Sequence, residues 1–159
     1  MLQKVDTGTL KESNLLTNFF DGECRGTGVV IDRLGRVRDR ISLAMTGRWE
    51  NGIFTMDETF VHEDGRVETR EWKVVTNENN PLVFTAACPE MRVPAKGRAT
   101  QNSVVMNYTY PVSISGRQFS LQFDDRMYLT SETTIFERAI MKKFGFNLAD
   151  IYINFEKIG

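Results

Sequence analysis

The chain of 159 residues suits a single domain with room for a sizeable core, and its 20 basic against 21 acidic residues give no general attraction to nucleic acid or to an anionic membrane. Two widely separated cysteines, Cys24 and Cys88, and a single histidine, His62, leave little material for a metal centre or a Ser/His/Asp triad. No run reaches the length of a transmembrane helix, and the opening MLQKVDTGTLKES lacks the apolar core of a signal peptide. No cofactor or metal is expected. The cysteines are expected to be free thiols unless export allows a disulfide; cytoplasmic residence and a removed export signal both stay open.

Residues 10–20 carry the early helical signal. Ser13 or Thr9 is positioned to cap it, Leu15, Leu16, Phe19 and Phe20 give it one apolar side, and Asp21-Gly22 stops it. A short amphipathic helix ahead of many strands is expected to plug or cover one end of them. From Glu23 to Lys157 the pattern is strand, turn, strand, with turn signals at Leu34-Gly35, Asn51-Gly52, Asp64-Gly65, Asn77 to Pro81, Gln101-Asn102, Ser115-Gly116 and Thr130 to Glu132. Arg33, Arg36, Arg38 and Arg40 cluster at the first of these turns and read as a solvated rim, with an anion or lipid-headgroup contact as the alternative.

The hairpins can be tested against one another. A two-residue turn at Asn51-Gly52 sets Trp49 opposite Phe54, Met45 opposite Glu58 and Leu43 opposite Phe60. A three-residue turn with Gly65 left-handed then sets Glu58 opposite Arg70, Met56 opposite Trp72 and Phe54 opposite Val74. One face collects Ile41, Leu43, Met45, Trp49, Phe54, Met56, Phe60, Trp72 and Val74, while the reverse face is charged and hydroxylated. The same logic at Ser115-Gly116 sets Tyr110 opposite Leu121, Tyr108 opposite Phe123 and Met106 opposite Asp125.

The stretch from Gln122 to Phe146 reads as two long strands. A four-residue turn over Thr130 to Thr133 sets Met127 opposite Phe136, Asp125 opposite Arg138 and Phe123 opposite Ile140; a shift that opposed Asp125 to Glu137 would pair like charges. After a turn at Lys143 to Gly145, the last strand presents Ala149, Ile151, Ile153 and Phe155 on one side and is expected to close on the first strand, Arg25 to Ile31. About nine or ten long strands with one apolar face and no helices to cover it should close on themselves. The expected fold is therefore all-β, an antiparallel up-and-down barrel over residues 23–157 with a short N-terminal helix, one domain over 1–159; a two-sheet sandwich is second.

Two opposite-charge pairs, Glu58 with Arg70 and Asp125 with Arg138, fall among these oily residues. Burying ions is unfavourable by several kcal/mol per group, so such pairs invite a functional reading. In small lipid-binding barrels an interior arginine meets a carboxylate head while aromatic and methionine side chains hold the tail. Here Arg138, Arg70, Asp125 and Glu58 would orient the polar end, with Trp72, Trp49, Tyr108, Tyr110, Phe123, Met56 and Met106 as lining. The leading expectation is noncatalytic binding or transport of a small hydrophobic or amphipathic ligand, a fatty acid or lipid-like molecule. The alternatives are an enzyme acting on a lipid-like substrate with Glu58 or Asp125 as acid or base, and an envelope assembly or scaffolding module with a solid interior.

FFDG at Phe19 to Gly22, G-x-V-x-D-R-x-G-x-V at Gly28 to Val37, E-x-F-x-x-x-D-G from Glu58 to Gly65, R-x-W at Arg70 to Trp72, FDDRMYL at Phe123 to Leu129 and MKKFGF at Met141 to Phe146 come in that order. The chain in this respect resembles an uncharacterised bacterial family of lipocalin-like (calycin) domains of unknown function, many of whose members are made as lipoproteins or envelope proteins. The resemblance covers nearly everything from Phe19 onward. It implies a calycin-type barrel and a bacterial source, and no assigned reaction.

Overall fold

The tight turns are built by residues that take a left-handed backbone. Asn51 and Gly52 have φ of 52° and 78°, Ser115 and Gly116 have 51° and 79°, and Phe144 and Gly145 have 52° and 81°. Positive φ at both central positions is the hairpin turn whose twist matches that of its flanking strands, so each pair ties two long strands in a defined register. The computed structural model describes residues 14–159.

Ten strands follow one helix: α1 (Leu15–Phe19), β1 (Gly22–Asp32), β2 (Val37–Glu50), β3 (Ile53–His62), β4 (Val67–Thr76), β5 (Val83–Ala87), β6 (Ala95–Ala99), β7 (Ser103–Ile114), β8 (Arg117–Ser131), β9 (Thr134–Lys143) and β10 (Phe146–Lys157). Each strand pairs antiparallel with its sequence neighbours, and β10 returns to β1, closing the barrel. Closure leaves no unpaired sheet edge, which is how an all-β chain with long apolar strands stays unaggregated.

The registers expected around Asn51-Gly52, Asp64-Gly65 and Ser115-Gly116 are the observed ones, from Leu43 opposite Phe60 through Phe54 opposite Val74 to Met106 opposite Asp125. The β8–β9 register is a correction. A bulge between Leu129 and Ser131 lets Ser131 pair with Thr134 and sets Asp125 opposite Ala139, Met127 opposite Glu137 and Leu129 opposite Ile135. Ile135, Glu137 and Ala139 are consequently buried, and Arg138 turns outward. Hydroxyl contacts stabilise this bend: Ser131 Oγ lies 2.6 Å from Thr134 Oγ1, and Thr130 Oγ1 lies 2.8 Å from it.

The helix expected over 10–20 is observed as Leu15–Phe19, with residues 10–13 outside the described residues. Its cap is Asn14, whose side chain accepts from Thr17 N–H at 3.2 Å; Ser13 and Thr9 lie outside the described residues. Asn14 Nδ2 donates to the Pro81 carbonyl and Leu15 N–H to that of Thr100, so α1 is held by the β4–β5 and β6–β7 connections. Leu16 and Phe20 are each 1% exposed, packed inside that end of the barrel. Gly47 makes the fit possible: a Cβ there would stand 1.9 Å from the Phe20 carbonyl oxygen. One end is thus plugged. The opposite end carries the β1–β2, β3–β4, β5–β6, β7–β8 and β9–β10 turns.

Candidate functional site

Between the plug and the far turns the barrel is hollow. The cavity measures about 830 Å³ and has Leu16 and Phe20 as its floor. Its walls are apolar: Met45 and Met56 from β2 and β3, Met106 from β7, Met127 and Met141 from β8 and β9, with Trp72, Phe123, Ile153 and Phe155. Arg38, Asp39, Glu63, Asp64, Arg66 and Ser113 to Gly116 border it at the unplugged end, which makes that end its mouth. A second hollow, of about 990 Å³, lies on the outside of the wall against outward residues of β7 and β8 such as Asn107, Thr109, Gln118 and Gln122.

Strand parity drives three carboxyl groups into the inner hollow. Glu58 is 8% exposed, Asp125 4% and Glu137 6%, and all three line it. Burial pushes Glu58 up to about 7, against the pull of the Arg70 charge and a hydrogen bond from Trp72. Asp125 is also raised, chiefly by burial and then, against a hydrogen bond from Tyr108, by the Glu58 charge. Glu137 is held well above the usual carboxylate range by burial, then by the charges of Asp125 and Glu58. Among the described residues, no group of three His, Cys, Asp or Glu side chains is placed to hold a metal ion.

Apart from Arg38 and Arg66 at the mouth, Arg70 is the arginine of this lining. Its guanidinium lies 4.0 Å from the Tyr110 ring centroid and 4.8 Å from that of Phe60, a stacked seat that keeps it against the wall. Burial works against its charge, but Tyr108, Glu58 and Tyr110 outweigh that and hold its pKa raised. Tyr108 donates its hydroxyl to Asp125 Oδ2 at 2.9 Å; its ring stacks on Phe123 at 5.2 Å and meets Trp72 edge-on at 5.3 Å. Asp125 Oδ1 is buried with no hydrogen-bond partner.

Eight of the residues expected as lining or orienting groups are therefore brought together at the hollow: Glu58, Arg70, Asp125, Trp72, Met56, Met106, Tyr108 and Phe123. Three are placed differently. Arg138 faces solvent, donating to Asp150 at 3.1 Å beside the Tyr152 ring, because the bulge reverses the facing of β9. Trp49 points inward but sits beside the Asn51-Gly52 turn at the plugged end, packed on Phe54 at 5.3 Å and away from the cavity lining. Tyr110 is buried behind Arg70 and donates to Glu90 at 3.3 Å. Glu137 is the inward charge that strand phase alone missed; the run of hydroxyls at Thr130, Ser131, Thr133 and Thr134 was the signal of a bulge. His62 stands at the rim as expected, between Asp39 at 2.5 Å and Glu68 at 3.3 Å. Cys24 and Cys88 are free, and burial pushes both thiols up to about 12.

Two solved structures share this architecture. The S-type phycobiliprotein lyase CPES from Guillardia theta matches with a TM-score of 0.68 at 8% identity, covering 95% of this chain and 97% of that one. A protein with unknown function of the DUF3598 family from Nostoc punctiforme PCC 73102 matches with a TM-score of 0.65 at 18% identity, covering 99% of this chain and 54% of that one, so the chain spans about half its length. At such identities the likeness is one of fold, a lipocalin-like closed barrel. No protein of curated function matches the sequence. The match that reaches beyond fold runs from residue 3 to residue 157, and by it the chain belongs to the family described as protein of unknown function (DUF3833).

Proposed function

We propose that this protein binds or carries a small hydrophobic or amphipathic molecule, lipid-like in its apolar body, inside the barrel without transforming it. The observation that carries the reading is the hollow of about 830 Å³, plugged at one end, open at the other and lined by methionines and aromatic rings. That volume lies within the range of ligand sites, and flexible thioether walls adapt to irregular apolar shapes. The hollow also favours ligand holding over a scaffold with a solid interior. A second reading, an enzyme acting on a lipid-like substrate, is favoured by one feature: a Glu58 carboxyl raised to about 7 beside an apolar wall has the ionisation an acid or base needs near neutral pH.

Native mass spectrometry of protein purified from a bacterial host, with fluorescence of N-phenyl-1-naphthylamine as a neutral probe, tests the binding reading. Ala139 lines the hollow and is 4% exposed, so Ala139→Trp fills it from one wall. The expected result is probe binding that Ala139→Trp abolishes while the far-ultraviolet circular dichroism stays that of a β protein. No co-purified molecule together with no probe binding overturns the reading.

A further inference from the structure

If the barrel holds a ligand, as proposed, the charge of its wall specifies that ligand's polar end. Away from the charged residues of the mouth, the lining offers three buried carboxyl groups, Glu58, Asp125 and Glu137, and one guanidinium, that of Arg70. Arg70 has both ring neighbours, Phe60 and Tyr110, covering it, so its charge is already housed by the protein. The acids are not so provided for. Asp125 is 4% exposed and spends one oxygen on Tyr108, leaving Oδ1 buried and unpartnered. Glu137, across β8–β9 from Met127 and 6% exposed, has no hydrogen bond among the described residues.

A buried polar group without a partner is unfavourable, and native proteins nearly always satisfy one with protein, water or ligand. An excess of buried acceptors around a hollow therefore describes the missing group by complement: it carries N–H donors, and positive charge strengthens each bond it makes. A fatty-acid head would instead bring a fourth carboxyl group into the same hollow. We infer that the ligand's polar end is a protonated amine borne on an apolar body, seated against Asp125 and Glu137 with its N–H groups turned to their carboxyl oxygens. The stacked rings of Tyr108, Phe123 and Trp72 beside Asp125 add a face that accepts cations.

The test holds the apolar body constant and varies the head. Dodecylamine, dodecyltrimethylammonium, dodecanol and dodecanoate compete for bound N-phenyl-1-naphthylamine on the full chain at neutral pH and moderate salt. The expected order places dodecylamine at least about tenfold tighter than dodecanoate and about threefold or more tighter than the trimethylammonium head, which has charge but no N–H donor. Asp125→Asn and Glu137→Gln should each shrink the amine preference while dodecanol binding stays within about twofold. Displacement by all four with dodecanoate or dodecanol at least as tight as dodecylamine overturns the amine and leaves the binding reading standing; a protonated carboxyl donating to an acceptor head would give that result. Failure of every head to displace the probe, or of the probe to bind, overturns both. The head preference is measured in the unaltered protein, so it decides the matter even where a variant misfolds.

Discussion

Glu58→Gln should make this protein more stable above neutral pH and leave it unchanged in acid. Burial raises Glu58 from its ordinary 4.5 to about 7, so between those values the folded protein keeps a proton that the unfolded chain has released. By linkage, stability falls as pH rises through that window and is flat on either side of it. The full penalty above pH 7 is about 3 kcal/mol, from 1.36 kcal/mol for each tenfold change in proton affinity. Water entering the open hollow raises the local dielectric and should roughly halve it. Glutamine imitates the protonated acid and still accepts from Trp72, so the variant should gain that amount, about 3–6 °C in Tm, at about pH 8 and nothing at about pH 4. Thermal and urea unfolding of both proteins across that range reads the difference, which cancels the titration of groups that do not feel the Glu58 charge. Parallel curves, or a variant less stable at about pH 8, would refute the claim that Glu58 is held in a low-dielectric hollow.

Arg138→Leu should leave probe affinity unchanged and alter stability by no more than about 0.5 kcal/mol, because its partner Asp150 and its own side chain are on the outer wall. A tenfold loss of affinity in that variant would mean that β9 faces the other way. Gly47→Ala should lower stability by about 3 kcal/mol, since the added methyl meets the Phe20 carbonyl at 1.9 Å and backbone cannot rotate aside. A Tm within about 2 °C of the unaltered protein would place the plug elsewhere.

Much of the architecture was legible because glycine announced the turns. Asn51-Gly52, Gly65 and Ser115-Gly116 each select one hairpin geometry, and each geometry carries a register with it, so Glu58 opposite Arg70 and Met106 opposite Asp125 followed from spacing alone. The β8–β9 hairpin has no glycine. Both parities of β9 carry charge, Glu137 on the inner and Arg138 on the outer, and Phe136 and Ile140 weighted the wrong one. Pairing also runs straight by default, and the extra residue near Thr130 does not. The β5–β6 connection, Cys88 to Pro94, was silent for a similar reason: it turns on prolines and a Cys88–Met91 contact rather than a left-handed glycine. Trp49 shows the remaining limit. Alternation tells which way a side chain points but not its height along a barrel, and Trp49 lies at the plugged end.

The sign of the chamber is written in the phase of β9 rather than in the identity of any residue that lines it. Were Thr130 drawn into the ladder opposite Ile135, the whole strand would advance by one, and Arg138 would replace Glu137 on the lumen between Phe136 and Ile140. The same amino acids would then enclose a donor-rich well suited to acids. The proposed headgroup preference should accordingly invert on straightening a kink at the plugged end, remote from the mouth, with no residue of the other nine strands replaced.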